Sequence, residues 1–248
     1  METTSFDDVY QEYRESRELP FREIIEVYTI RQLCGDVTGL QVLDLACGEG
    51  AYTRRLKTWG AADVLGTDMA ANMIHLAEEA EKQQPLGCRY LLKEMTALGK
   101  QGDFDLATAI YLLNYARTAK ELAGFLAAVY INLKPGGTFV GMNDNPMHRL
   151  APGDENYEKY GLIKTMHLPL KDEDYLQYVF NNPDGSSFVL DIPYLTPETY
   201  AAAFKTAGFR TFSWVGPYGD TAGMPPQKAA FWDHFLQHPP IIGFRATK

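Results

Sequence analysis

Cysteine is scarce in this chain: Cys34, Cys47 and Cys88 are the three in 248 residues, with no C-x-x-C pair and no Cys/His spacing suited to zinc. A disulfide framework is not expected, and no metal is assigned. Long apolar runs are also missing. None approaches the ~20 residues that cross a bilayer, and the opening Met1-Glu2-Thr3-Thr4-Ser5-Phe6-Asp7-Asp8 is acidic, without the apolar stretch of a secretory leader. These absences point to a cytoplasmic protein with no membrane partner. Lys and Arg number 23 against 32 Asp and Glu, a formal charge of −9, so most of the surface repels a polyphosphate backbone and nucleic acid is not the expected partner. Internal repeats and low-complexity tracts are lacking, which excludes solenoids. What remains, 46% hydrophobic and 22% charged, is ordinary globular composition, and the length suits one α/β domain with an insertion.

Apolar residues at Phe21, Ile24, Ile25, Val27, Tyr28, Ile30 and Leu33 recur at helical spacing, and Gly35 supplies a stop. Strands are then predicted at 42–46, 63–67, 88–92, 104–110 and 138–142, alternating with helices at 51–59, 70–83 and 122–133. Such alternation signals βαβ units and a parallel sheet covered on both faces. The pattern changes after Asn143, where prolines accumulate and Asn182-Pro183-Asp184-Gly185 separates two β-rich runs, 175–180 and 187–194. An inserted hairpin cap is expected there. Thr196-Pro197-Glu198 then reads as an N-cap with Pro at the first helical position, Gly208 as that helix's stop, and 210–215 and 240–247 as strands flanking a helix at 229–237. The expected organisation is an N-terminal lid and leading helix (1–33), a core (34–143), a cap (144–195) and the remainder of the sheet (196–248).

The sharpest local feature is Val42-Leu43-Asp44-Leu45-Ala46-Cys47-Gly48-Glu49-Gly50. Glycines at a strand-to-helix turn let a ligand approach the backbone and leave helix N–H groups free to meet it. The next strand ends in Gly66-Thr67-Asp68, and a carboxylate at that place can accept both hydroxyls of a ribose. On these residues the chain resembles the class I S-adenosylmethionine-dependent methyltransferases. Ala46 stands where the family's first glycine usually does. Gly66-Thr67-Asp68-Met69-Ala70-Ala71-Asn72 resembles the second motif, Lys93-Glu94-Met95 falls where members contact adenine, and Phe104-Asp105-Leu106-Ala107-Thr108-Ala109 and Leu133-Lys134-Pro135-Gly136-Gly137 resemble the fourth motif and the turn before the fifth strand.

The resemblance implies an α/β fold with a seven-stranded Rossmann-like methyltransferase sheet, mostly parallel with the last strand antiparallel, and S-adenosylmethionine as methyl donor. It implies cofactor contacts from Gly48, Asp68, Met69, Glu94, Met95 and the backbone near Ala109, with Tyr13 on a closing lid helix and Arg22 of Leu19-Pro20-Phe21-Arg22 on the methionine carboxylate; Arg31 competes for that last role. Tyr10, Tyr115 and His167 are the candidate acceptor contacts. No Ser/His/Asp or paired-carboxylate constellation names a base, and methyl transfer by proximity needs none.

The rival from another class is a nicotinamide dehydrogenase, against which Ala46-Cys47-Gly48-Glu49-Gly50-Ala51 supplies only two of the three fingerprint glycines. A non-catalytic nucleotide-binding module is a third reading. The fourth-motif region lacks the Asn/Asp-Pro-Pro-Tyr run of nucleic-acid amino-methyltransferases, so a small-molecule acceptor is expected. Short segments, including Asn114-Tyr115-Ala116 and Phe231-Trp232-Asp233-His234-Phe235, are similar to toxoflavin-type azapteridine N-methyltransferases. N-methylation of a planar heteroaromatic metabolite in natural-product biosynthesis is the first expectation, and O-methylation of a hydroxylated aromatic the second.

Overall fold

The computed structural model describes residues 16–149 and 154–248; Tyr10 and Tyr13, the two lid tyrosines, lie outside them. The leading helix opens as a π-helical turn, Arg22–Val27, and continues as α1 (Tyr28–Cys34), closed by Gly35 at φ 65°. The alternation follows as β1 (Gln41–Leu45), α2 (Ala51–Thr58), β2 (Asp63–Asp68), α3 (Ala71–Gln83), β3 (Arg89–Leu92), β4 (Phe104–Ile110), α4 (Ala119–Asn132) and β5 (Leu133–Asp144). After β5 come β6 (Leu162–Thr165), β7 (Tyr175–Asn181) and β8 (Ser187–Pro193). The chain then makes α5 (Pro197–Ala207), β9 (Thr211–Val215), α6 (Pro226–Ala230), α7 (Asp233–Gln237) and β10 (Ile241–Thr247).

Seven strands form one sheet in the order β3-β2-β1-β4-β5-β10-β9. All are parallel except β10, which runs antiparallel to both β5 and β9. The central strands β1 and β4 are apolar on both faces because helices cover both. On one face, Leu43, Leu45, Ala107, Phe139 and Phe244 pack against Leu122, Leu126 and Val129 of α4 and Phe204 of α5. On the other, Val42, Val64, Leu106 and Val140 meet Leu33 of α1 and Leu56 of α2.

Three expectations need correction. The cap is a three-stranded antiparallel sheet, β6-β7-β8, rather than a hairpin: Leu162-Ile163-Lys164-Thr165 adds to the edge of β7. The fifth strand begins at Leu133, and the Pro135-Gly136-Gly137 stretch is absorbed as a bulge where pairing jumps from Phe104↔Leu133 to Leu106↔Thr138. The helix at 229–237 is two short ones, broken around Phe231 and Trp232, whose rings meet Tyr160 at 4.9 and 5.2 Å. Among the described residues no helix is long and apolar enough to cross a membrane.

Candidate active site

The turn between β1 and α2 is built from three left-handed residues, Ala46 (φ 50°), Gly48 (φ 56°) and Gly50 (φ 82°). Gly50 is required twice over, since a Cβ there would meet the Tyr90 hydroxyl at 2.5 Å. Gly48 differs: no atom lies within 4 Å of where its Cβ would be, so its backbone faces open space a ligand can enter. Asp68, at the end of β2, ties this turn down. Its Oδ2 accepts the Gly48 N–H at 2.8 Å and its Oδ1 the Ala70 N–H at 2.9 Å. The Lys93 N–H donates to the Asp68 carbonyl at 2.8 Å, which brings Glu94 and Met95 beside the same strand ends. Met69 is 71% exposed, an unusual position for so apolar a side chain.

Beside the glycine turn lies a cleft lined by Arg22, Glu26, Asp44, Ala46, Cys47, Gly48, Tyr52, Ile110 and Tyr111. Asp44 is buried in β1, with hydroxyl donors on each oxygen: Thr53 on Oδ2 and Thr108 on Oδ1, both at 2.7 Å. Burial outweighs those bonds and pushes its pKa up to about 6. Glu26 behaves oppositely. Burial raises its pKa, but the Arg22 guanidinium 2.6 Å away and donors from Tyr111 (2.5 Å) and Tyr52 (2.8 Å) outweigh it and hold the carboxyl below its ordinary value. The guanidinium is itself enclosed by the rings of Phe21, Tyr111 and Phe180, 4.8, 5.5 and 5.4 Å from their centroids. Phe180 belongs to β7, so the cap reaches this cleft. Two carboxyl groups and a guanidinium in one cleft suit a ligand carrying charges of both signs.

Of the residues named from sequence, Arg22 and Gly48 meet at the cleft, and Asp68, Met69, Glu94 and Met95 gather at the neighbouring strand ends. Ala109 is fully buried within β4; Ile110 and Tyr111, one and two positions on, are the residues that reach the cleft. Arg31 does not line it and stacks on Trp59 at 5.1 Å. Tyr115 is half-buried in the turn after β4, and His167 is exposed just past β6. Glu26, Tyr52 and Tyr111 were not foreseen. Their one sequence signal is the Arg22/Glu26 spacing of four, which puts both on one helical face.

Comparison with known proteins supports the family. A model described as "Methyltransferase domain" matches residues 42–137. The chain is 30% identical over 180 residues to a ubiquinone/menaquinone biosynthesis C-methyltransferase of Desulfotalea psychrophila, covering 71% of this chain and 68% of that protein. It is 33% identical over 100 residues to a ubiquinone biosynthesis O-methyltransferase of Coxiella burnetii, covering 40% of this chain and 41% of the relative. Several curated relatives are spanned over less than two thirds of their length. An S-adenosylmethionine-dependent methyltransferase of Clostridium acetobutylicum superposes with a TM-score of 0.64 at 17% identity, over 96% of this chain and 98% of that one. With the strand order, the glycine turn and the Asp68 carboxylate at the end of β2 in place, the chain belongs to the class I S-adenosylmethionine-dependent methyltransferases.

Proposed function

We propose that this chain transfers the methyl group of S-adenosylmethionine to a nitrogen of a small planar heteroaromatic acceptor. The observation that carries the methyl-transfer reading is the charged cleft beside Gly48, because its acids and its guanidinium match the charges of this cofactor. In this reading Asp68 takes the ribose hydroxyls, and Met69, Glu94 and Met95 form the adenine end. The Gly48 backbone lies against the chain between. Arg22 takes the methionine carboxylate, while Glu26 and Asp44 face the ammonium and sulfonium, with the backbone after Ala109 completing that end. When bound, the cofactor supplies a methyl carbon already activated by positive sulfur. The protein's own task is alignment and exclusion of water.

The acceptor would lie between the turn holding Tyr115 and the inner face of the cap, where Tyr178, Phe180 and Phe188 stack in a row at 5.8 and 5.9 Å, with His167 at the margin. Such a wall of rings favours a flat partner. O-methylation of a hydroxylated aromatic is the second reading, favoured by the O-methyltransferase relative. Calorimetry with S-adenosylmethionine and its demethylated product tests the first step, and binding of neither overturns the methyl-transfer reading. A mass-shift screen pairing nitrogen with oxygen acceptors decides the second: a +14 Da product confined to oxygen acceptors replaces N- by O-methylation.

A further inference from the structure

We propose that Asp144, the last residue of β5, is the side chain that reads a neutral N–H on the acceptor. This rests on the methyl-transfer reading and adds to it a residue that determines specificity. The strand register places Asp144 there. Ile110 of β4 is aligned with Met142 of β5, so Ile110, Met142 and Asp144 share one sheet face, and Ile110 lines the cleft. The Asp144 N–H donates to Asn114 Oδ1 at 3.0 Å, in the turn that also carries Tyr115. Asp144 therefore stands at the carboxyl edge of the sheet, between the turn after β4 and the cap.

Its two oxygens are used unequally. Oδ1 accepts from the Lys164 amine at 2.5 Å and from the Tyr178 hydroxyl at 2.7 Å, both delivered by the cap. Oδ2 receives no hydrogen bond from any described residue, although the side chain is only 7% exposed. Oδ2 keeps contact with solvent, so a ligand seated at this edge can reach it without breaking the bonds that Oδ1 makes. If the triad served only to lock cap to core, its whole purpose would be met through Oδ1.

The charge of the pair narrows the ligand. Lys164, fully enclosed, already balances the carboxylate, so Oδ2 belongs to a pair that is neutral overall. A protonated amine would bring a second buried cation to that pair. A neutral ring N–H satisfies Oδ2 with no added charge, as a lactam or azole nitrogen does.

The test uses the full chain saturated with S-adenosylhomocysteine, titrated calorimetrically with pteridine-2,4-dione and with its 1,3-dimethyl derivative, which lacks those N–H groups. The wild type should bind the N–H probe at least about tenfold more tightly, the effect of one hydrogen bond to a charged group. In Asp144→Asn the preference should fall below about threefold while affinity for S-adenosylhomocysteine stays unchanged. Should the buried Lys164 left without its counter-ion prevent folding, Asp144→Asn combined with Lys164→Met removes both charges and carries the same expectation. Equal binding of the two probes by the wild type, binding of neither, or a preference that survives the substitutions overturns the proposal. Failure to bind S-adenosylhomocysteine at all defeats the methyl-transfer reading instead.

Discussion

Asp44 and Glu26 face one cleft, yet their surroundings move their protons in opposite directions. Asp44 has neutral hydroxyl donors and no ion pair among the described residues, so burial dominates and its pKa rises to about 6. The folded chain therefore holds that proton more tightly than the unfolded one, and ionising Asp44 as pH rises through about 6 weakens the fold. A cationic ligand needs the opposite protonation state. Affinity for S-adenosylmethionine should therefore fall as pH drops below about 6, and Asp44→Asn should flatten that dependence; calorimetry across pH 5–8 checks it. Glu26 has Arg22, so its pKa is lowered, and its contribution to stability is intact above the ordinary carboxylate value and lost as pH falls through the folded one. Glu26→Gln leaves a buried guanidinium without its carboxylate and should cost about 3 kcal/mol in denaturant unfolding at neutral pH. Asp68→Ala removes the anchor of the Gly48 turn together with the proposed ribose contact. A loss of about 2 kcal/mol, roughly 30-fold in cofactor affinity, is expected by the same calorimetry.

At the scale of elements, legibility followed periodicity. The β1 to β4 strands carry apolar runs bounded by Gly, Asp and Pro, and α5 carries its cap in Thr196-Pro197, whose hydroxyl accepts the Thr199 N–H. The π-helical turn at Arg22–Val27 was illegible, because Phe21, Ile24, Ile25 and Tyr28 satisfy an α-helical pattern equally well. That turn presents Glu26 to Tyr52 and Tyr111, partners 26 and 85 positions away, so the network exists only after the sheet has formed. Strand β6 was hidden for a related reason: four residues with a lysine in their midst form a strand because β7 offers an edge and Asp144 a counter-ion. Asp172 illustrates a connection between elements that no local motif reveals. In the loop between β6 and β7, it accepts the Thr196 N–H at 2.6 Å and the Thr199 hydroxyl at 2.5 Å, joining cap to α5. Asp172→Ala should cost about 1–2 kcal/mol of stability, read as a lower urea midpoint at unchanged m-value.

At the scale of the molecule, the cap shares its core with the rest of the chain. One apolar cluster joins Phe21 and Ile25 of the leading helix, Tyr52 of α2, Met142 of β5, the inner cap residues Leu162, Leu176, Phe180 and Ile192, and Trp232 and Phe235 near the C-terminus. Tyr160 is the pivot, stacked on Trp232 at 5.2 Å and edge-on to Phe235 at 5.1 Å. A cap that could open as an independent unit would need its own sealed core, and here the same side chains seal both. The cap and the seven-stranded sheet should therefore unfold in one transition. In the variant Trp59→Phe/Trp214→Phe, fluorescence reports Trp232 alone, at the junction between cap and C-terminal segment. Its urea midpoint should coincide with that of far-UV circular dichroism, which follows the whole sheet. A fluorescence transition at clearly lower urea would mean that the cap releases first, and that the acceptor site is assembled on a detachable lid rather than on the common core.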